Sequence, residues 1–84
     1  MTRDEILEVI KSTIRLVIEG AEDREIVESD SMAEYGADSL EIVEVVSRSM
    51  KQTRIKVPRT ELSTAENLAD LLDLFEKAQA NQTS

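Results

Sequence analysis

Few residues in this chain are equipped for chemistry. Its 84 residues include no cysteine and no histidine, which removes thiolates, the commonest metal ligands and the usual general base. Neither a Ser-His-Asp triad nor a zinc centre can be assembled from what remains. No D-x-D-x-D-G loop is present either, so a calcium-binding EF-hand is excluded. What is left is a serine in a particular place. Gly36-Ala37-Asp38-Ser39-Leu40 stands just before a long apolar-acidic helical pattern. Gly36 suits the positive φ of a tight turn. Asp38 suits the N-cap of the helix that follows, and Glu41 completes a capping box. Ser39 then falls in the first helical turn with its hydroxyl at the surface. A helix N-terminus favours phosphate there, through free N–H groups and the positive end of the dipole. The bland alternative is a helix-start serine contributing about 1 kcal/mol or less through capping.

The bulk properties narrow the setting. A chain of this length makes one small domain with a modest core. The net charge of −8 argues against nucleic acid, whose binding rests on phosphate neutralisation. It favours partners with basic surfaces, or else simply keeps a small protein soluble. The charged start, Met1-Thr2-Arg3-Asp4-Glu5, leads into no signal-type apolar run. No stretch is apolar enough to span a membrane. The expectation is a cytoplasmic monomer without a membrane partner.

The elements that must position Ser39 read as helices. Thr2 and Glu5 form a capping box for a first helix over residues 2–19, with Ile6, Ile10 and Ile14 among its recurring apolar positions and Gly20 as its stop. Residues 21–37 form a long polar connection in which Ile26 and Val27 tuck inward. Within it, Ser31 and Glu34 start one short helical turn with Met32 facing in. The second helix covers residues 39–53, with Leu40, Val43, Val46 and Met50 on one stripe and Ile42, Val45 and Ser49 on another. Ile55 and Val57 face inward from an extended connector that ends at Pro58. Pro58 opens a short helical piece through Leu62. Ser63 and Glu66 then cap a last helix to Ala78, with Leu68, Leu71, Leu72 and Phe75 on its inner face. The fold expected is all-α: a bundle with three long helices and one short one over residues 1–78, followed by a disordered polar tail at 79–84.

Asp38-Ser39-Leu40, preceded by Gly36, resembles the modification motif of acyl carrier proteins, and the likeness runs over nearly the whole chain. The resemblance implies a four-helix carrier fold with no catalytic residue and no metal. It implies that Ser39 bears a covalent 4′-phosphopantetheine arm drawn from coenzyme A, with Asp38 and Leu40 as flanking motif residues. A separate phosphopantetheinyl transferase would attach the arm, and an acyltransferase, a ketosynthase or related biosynthetic enzymes would use it. The absence of cysteine and histidine suits this task, because no strong internal nucleophile threatens a thioester.

Several readings stay open at this level. The cargo is an acyl group of polyketide or housekeeping fatty acid synthesis, or an aminoacyl group as on a peptidyl carrier. From a different class, the chain is an unmodified helical interaction module. Residues 55–62 with Asn67-Leu68 are similar to stand-alone polyketide carriers, and to the donor carriers of β-branching cassettes of the HMG-CoA synthase type. Leu40-Glu41-Ile42 departs from that donor pattern. Glu41 and Glu44 read either as a solvated helix face or as a docking surface for basic enzymes. A basic band of Arg48, Lys51, Arg54, Lys56 and Arg59 follows. The helix dipole accounts for Arg48 and Lys51. Arg54, Lys56 and Arg59 are expected either to select a dedicated partner or to pair with Glu61 and the acidic loop.

Overall fold

A computed structural model describes residues 1–82 of the chain. Four α-helices follow one another: α1 (Arg3–Val17), α2 (Ser39–Thr53), α3 (Arg59–Leu62) and α4 (Leu68–Gln82). A 3-10 turn over Met32–Tyr35 lies between α1 and α2. The expected all-α architecture, three long helices and a short one, is the one observed.

α1 starts at the anticipated capping box. Thr2 Oγ1 accepts from the Glu5 amide at 3.2 Å, and Glu5 Oε1 accepts from the Thr2 amide at 2.8 Å. Those bonds, first from the Thr2 backbone and then from its side chain, hold the Glu5 carboxyl below its ordinary pKa. Ile6, Ile10 and Ile14 are fully buried. They form one i, i+4 row whose burial offsets the low helix propensity of β-branched residues. The helix stops at Val17, two residues short of the expected end, and Gly20 takes a φ of 91° in the turn beyond it. α1 packs chiefly on α2 and less on α4.

The connection between α1 and α2 is held by polar contacts that cross the molecule. Ile26 is buried as expected, but Val27 is 39% exposed. Neighbouring residues of a non-helical segment face opposite ways, and Val27 instead gives its amide to the Tyr35 hydroxyl at 3.3 Å. Tyr35 is buried, donates to Asp30 Oδ2 at 2.9 Å, and lies under the Arg24 guanidinium at 5.2 Å. The amides of Leu68 and Ala69, at the start of α4, donate to the carbonyls of Asp30 (3.0 Å) and Glu28 (2.8 Å). Arg3 reaches the same place. Its guanidinium binds Glu76 at 2.5 Å, Asp73 at 2.7 Å and Glu28 at 2.6 Å, and these bonds push its pKa further up.

Both ends of α4 also differ from the sequence reading. The first turn of α4 is capped by Asn67, whose Oδ1 accepts from the Asp70 amide at 2.9 Å, while Asp70 Oδ2 accepts from the Glu66 amide at 3.0 Å. Ser63 does not cap it; its hydroxyl donates to the Thr60 carbonyl at 2.9 Å. At the other end, α4 continues past Ala78 through Gln82. Gln79 exchanges hydrogen bonds with Met1, and Gln82 with Arg54 and Lys56, so residues 79–82 of the expected tail are tied to the domain. The remaining tail residues, 83 and 84, lie outside the described residues. The connector behaves as anticipated, with Ile55 and Val57 buried and Pro58 preceding α3. Ser49 is fully buried and its hydroxyl lacks a hydrogen-bond partner among the described residues.

Tyr35 is the sole tyrosine, in a chain without tryptophan, so its ionisation can be followed by ultraviolet absorbance. Burial first, then donation to Asp30, raises its pKa. A raised folded value means that the stabilisation is fully present below the unfolded value and is lost as pH climbs through the folded one. The folded protein should titrate above the ordinary value of about 10 and the urea-unfolded protein at about 10. A folded midpoint no higher than the unfolded one would contradict the buried position. For Arg3→Ala, three partly exposed pairs of ordinary strength imply a loss of about 1–2 kcal/mol in urea unfolding. That loss should shrink in about 0.5 M salt.

Candidate functional site

The start of α2 is built by local bonds. Gly36 ends the 3-10 turn at a φ of 85°, where an added Cβ would meet nothing within 4 Å. Its backbone angle, not space, is therefore what calls for glycine. Asp38 is extended, with Oδ1 accepting from the Glu41 amide at 2.8 Å and Glu41 Oε1 accepting from the Asp38 amide at 3.1 Å. The cap is thus supplied by Asp38. Ser39 is exposed, and its hydroxyl makes no hydrogen bond among the described residues. The Ser39 and Leu40 amides likewise have no acceptor among the described residues, as expected for the first turn of a helix. A phosphate on the Ser39 oxygen would meet two free donors and the positive end of the helix, so this donor set fits a phosphodiester.

The surroundings are apolar on one side and charged on the other. Leu40 is 80% exposed and Val43 54% exposed. Of the stripe Leu40, Val43, Val46 and Met50, Val46 is buried and Met50 half-buried, whereas Val43 lines a cleft. That cleft, about 730 Å³, runs between α2, α3 and the first turn of α4, and Ile42, Met50, Leu62 and Leu71 are among its walls. Neither Ser39 nor Leu40 lines it; it begins one turn further along α2. Its apolar lining comes from four separate elements, so no local pattern in the sequence announces it.

The structure sorts the charged residues that the sequence grouped together. Glu41 is half-buried and belongs to the cap, whereas Glu44 is exposed and pairs with Arg48 at 3.4 Å. Arg59 stands at the main cleft. Arg54 and Lys56 stand with Lys51 around a second hollow at the other end of α2. Glu61 pairs with Lys77 at 3.1 Å and with none of the basic band. Among the described residues no helix is long and apolar enough to cross a membrane.

Fold and site together define a small all-helical domain that presents an exposed serine at a helix start. Residues 4–75 match the model of the phosphopantetheine attachment site family. The chain belongs to that family, whose members carry 4′-phosphopantetheine covalently. It is 30% identical over 81 residues to the polyketide biosynthesis acyl-carrier-protein AcpK of Bacillus subtilis (strain 168), covering 95% of this chain and 99% of that one. It is also similar to a chain in the crystal structure of the curacin biosynthetic pathway HMG synthase in complex with acetyl donor-ACP. The TM-score there is 0.80 at 32% identity, over 89% of this chain and 96% of that one.

Because Asp38 makes the capping bond and the Ser39 hydroxyl makes none, the two substitutions should separate. Asp38→Ala should cost about 1 kcal/mol. Ser39→Ala should stay within about 0.5 kcal/mol of wild type. Urea unfolding of both variants checks this, and a larger loss from Ser39→Ala would show a bond that the geometry lacks.

Proposed function

We propose that the protein is an acyl carrier of polyketide biosynthesis, that Ser39 is its attachment site, and that it serves as the donor carrier for an HMG synthase. The observation that carries the assignment of Ser39 is its exposed, unbonded hydroxyl beside two free helix-start amides. The polyketide setting is supported by the likeness to AcpK, and the donor role by the likeness to the chain solved with the curacin HMG synthase. When attached, the arm supplies a thiol on which acyl groups are held as thioesters.

The chain's own residues do the rest. Asp38 holds the first turn in shape, so the amides of Ser39 and Leu40 face the modified oxygen. A phosphopantetheinyl transferase attaches the arm. Leu40 offers that enzyme an apolar contact, and Glu41 and Glu44 offer charge to basic rims. Glu44 is the cleaner docking residue of the two, since Glu41 also serves the cap. With neither cysteine nor histidine in the chain, no thiol or imidazole of its own competes for the cargo.

Intact-mass analysis after incubation with coenzyme A and a broad-specificity transferase should show one phosphopantetheine on wild type and none on Ser39→Ala. Modification that survives Ser39→Ala would sink the assignment. In the same assay Glu44→Lys should be modified severalfold more slowly at low salt, with little change in melting temperature.

A further inference from the structure

Three observations meet at the C-terminal end of α2, far along the helix from Ser39. Lys51, Arg54 and Lys56 surround a hollow of about 490 Å³ that Met50 and Ile55 also line. All three are exposed and none joins a salt bridge among the described residues. The chain has 18 acidic residues against 10 basic ones, so carboxylates are plentiful and yet these cations have none.

The second observation is backbone strain. Arg54 takes a φ of 58° and is the one non-glycine residue at positive φ among the described residues. Glycine or asparagine is the usual occupant just beyond a helix, and a long side chain there costs free energy. The third is a clamp on that backbone. Gln82 accepts from the Lys56 amide at 2.6 Å and donates to the Arg54 carbonyl at 2.9 Å. The clamp fixes Arg54 and Lys56 on the two sides of buried Ile55.

The two ends of α2 are joined by one exposed ridge. Leu40, Glu44, Ser47, Lys51 and Arg54 are all exposed, and their spacing places them along one helix face. At about 1.5 Å per residue, the ridge is roughly 20 Å long. Its start carries Asp38 and Glu41, exposed Glu44 follows with Arg48 beside it, and its end is basic.

We propose that this basic end is the second point of a two-point docking surface: the HMG synthase that takes the acyl group presents an acidic patch to Lys51, Arg54 and Lys56 while its basic rim meets Glu41 and Glu44. The inference rests on the reading of the protein as a donor carrier for such a synthase. Opposite charges at the two ends of a rigid helix set direction as well as place, because a carrier turned end for end brings like charges together. The helix dipole favours cations within the last turn. It gives no reason for Lys56, which lies on the connector, or for an arginine at a position suited to glycine.

The test is acetyl transfer from the loaded protein to the curacin pathway HMG synthase, used as the probe enzyme, at low salt and at about 0.5 M salt. The variants are a triple Lys51→Glu, Arg54→Glu, Lys56→Glu, a neutral triple with Gln at the same positions, and Arg54→Gly. Three rim pairs of ordinary exposed strength amount to about tenfold in kcat/KM. The Glu triple should lose that much or more at low salt, the Gln triple less, and both gaps should close at high salt. Phosphopantetheine attachment, which engages the other end of α2, should stay within about twofold of wild type in all variants. Arg54→Gly is the decisive variant: relief of the positive φ should raise the melting temperature by about 4 °C or more while transfer slows. Stability and transfer falling together would make Arg54 a structural residue and overturn the proposal. So would transfer unchanged in the Gln triple, or equal slowing of attachment and transfer. Co-sedimentation of wild type, but not the Gln triple, with phosphatidylserine vesicles would overturn it in favour of a membrane. Saturating NMR shifts at residues 51–56 with submillimolar inorganic phosphate would overturn it in favour of a small anion. Wild type that is modified on Ser39 yet transfers nothing to the synthase overturns the donor reading and this inference with it; equal transfer by all variants overturns this inference alone.

Discussion

The fold turns on a mutual satisfaction of backbone groups between the α1–α2 connection and the start of α4. A polar segment of that length has few apolar side chains with which to hold itself down, and its carbonyls need partners. A helix begins with amides that no intrahelical acceptor can reach. Here each supplies the other, with the Leu68 and Ala69 amides donating to the Asp30 and Glu28 carbonyls. Arg3 adds charge to the same junction through Glu28, Asp73 and Glu76. Tyr35 ties Val27 and Asp30 to the 3-10 turn from within. The site depends on this junction. With the connection pinned, Gly36 and Asp38 come to rest where α2 can start. The main cleft then closes between Met32 on the connection and Leu68 and Leu71 on α4.

α2 reconciles a structural face with a working face. Val45, Val46, Ser49 and Thr53 are buried, and the Thr53 hydroxyl is satisfied by the Ser49 carbonyl at 2.8 Å. The opposite face keeps Leu40 and Val43 in water. A single exposed leucine is ordinary, but these two lie within about a turn of the exposed Ser39. Charge along the helix follows the macrodipole as far as Lys51. Beyond that point Arg54 and Lys56 lie outside α2, where the dipole does not account for them.

The carrier role also explains what the chain lacks. A domain that holds thioesters gains from having no thiol and no imidazole of its own, since either would attack or activate attack on the cargo. On the proposed assignment the chemistry is confined to the Ser39 hydroxyl, and the remaining residues shape its approach. Such a division suits a small domain, whose modest core leaves little stability to spend on a strained catalytic centre.

What the sequence determined by itself was set within four residues or so along the chain. The boxes Thr2–Glu5 and Asp38–Glu41 form as read, because each couples a side chain to a backbone amide three positions away, and the turn expected at Ser31 and Glu34 forms with the Ser31 amide donating to Glu34 Oε2. Gly36 takes positive φ as expected, and Gly20 lies just beyond the end of α1. The row Ile6, Ile10 and Ile14 and the pair Ile55 and Val57 are buried as their spacing implies. Tertiary structure decided the rest. Ser63 and Asn67 each precede an acid at capping distance, and the carbonyls of Glu28 and Asp30 favour a start at Leu68. Residues 79–82 look like a polar tail, yet bonds to Met1, Arg54 and Lys56 make them the end of α4. Whether Val27 or Ile26 faces inward follows from where Tyr35 sits, and the basic band divides because the connector carries Arg59 to one hollow and leaves Lys56 at another. The physical reason is range: capping and periodicity act between neighbours, whereas these contacts join residues tens of positions apart, whose meeting is fixed only when the helices pack.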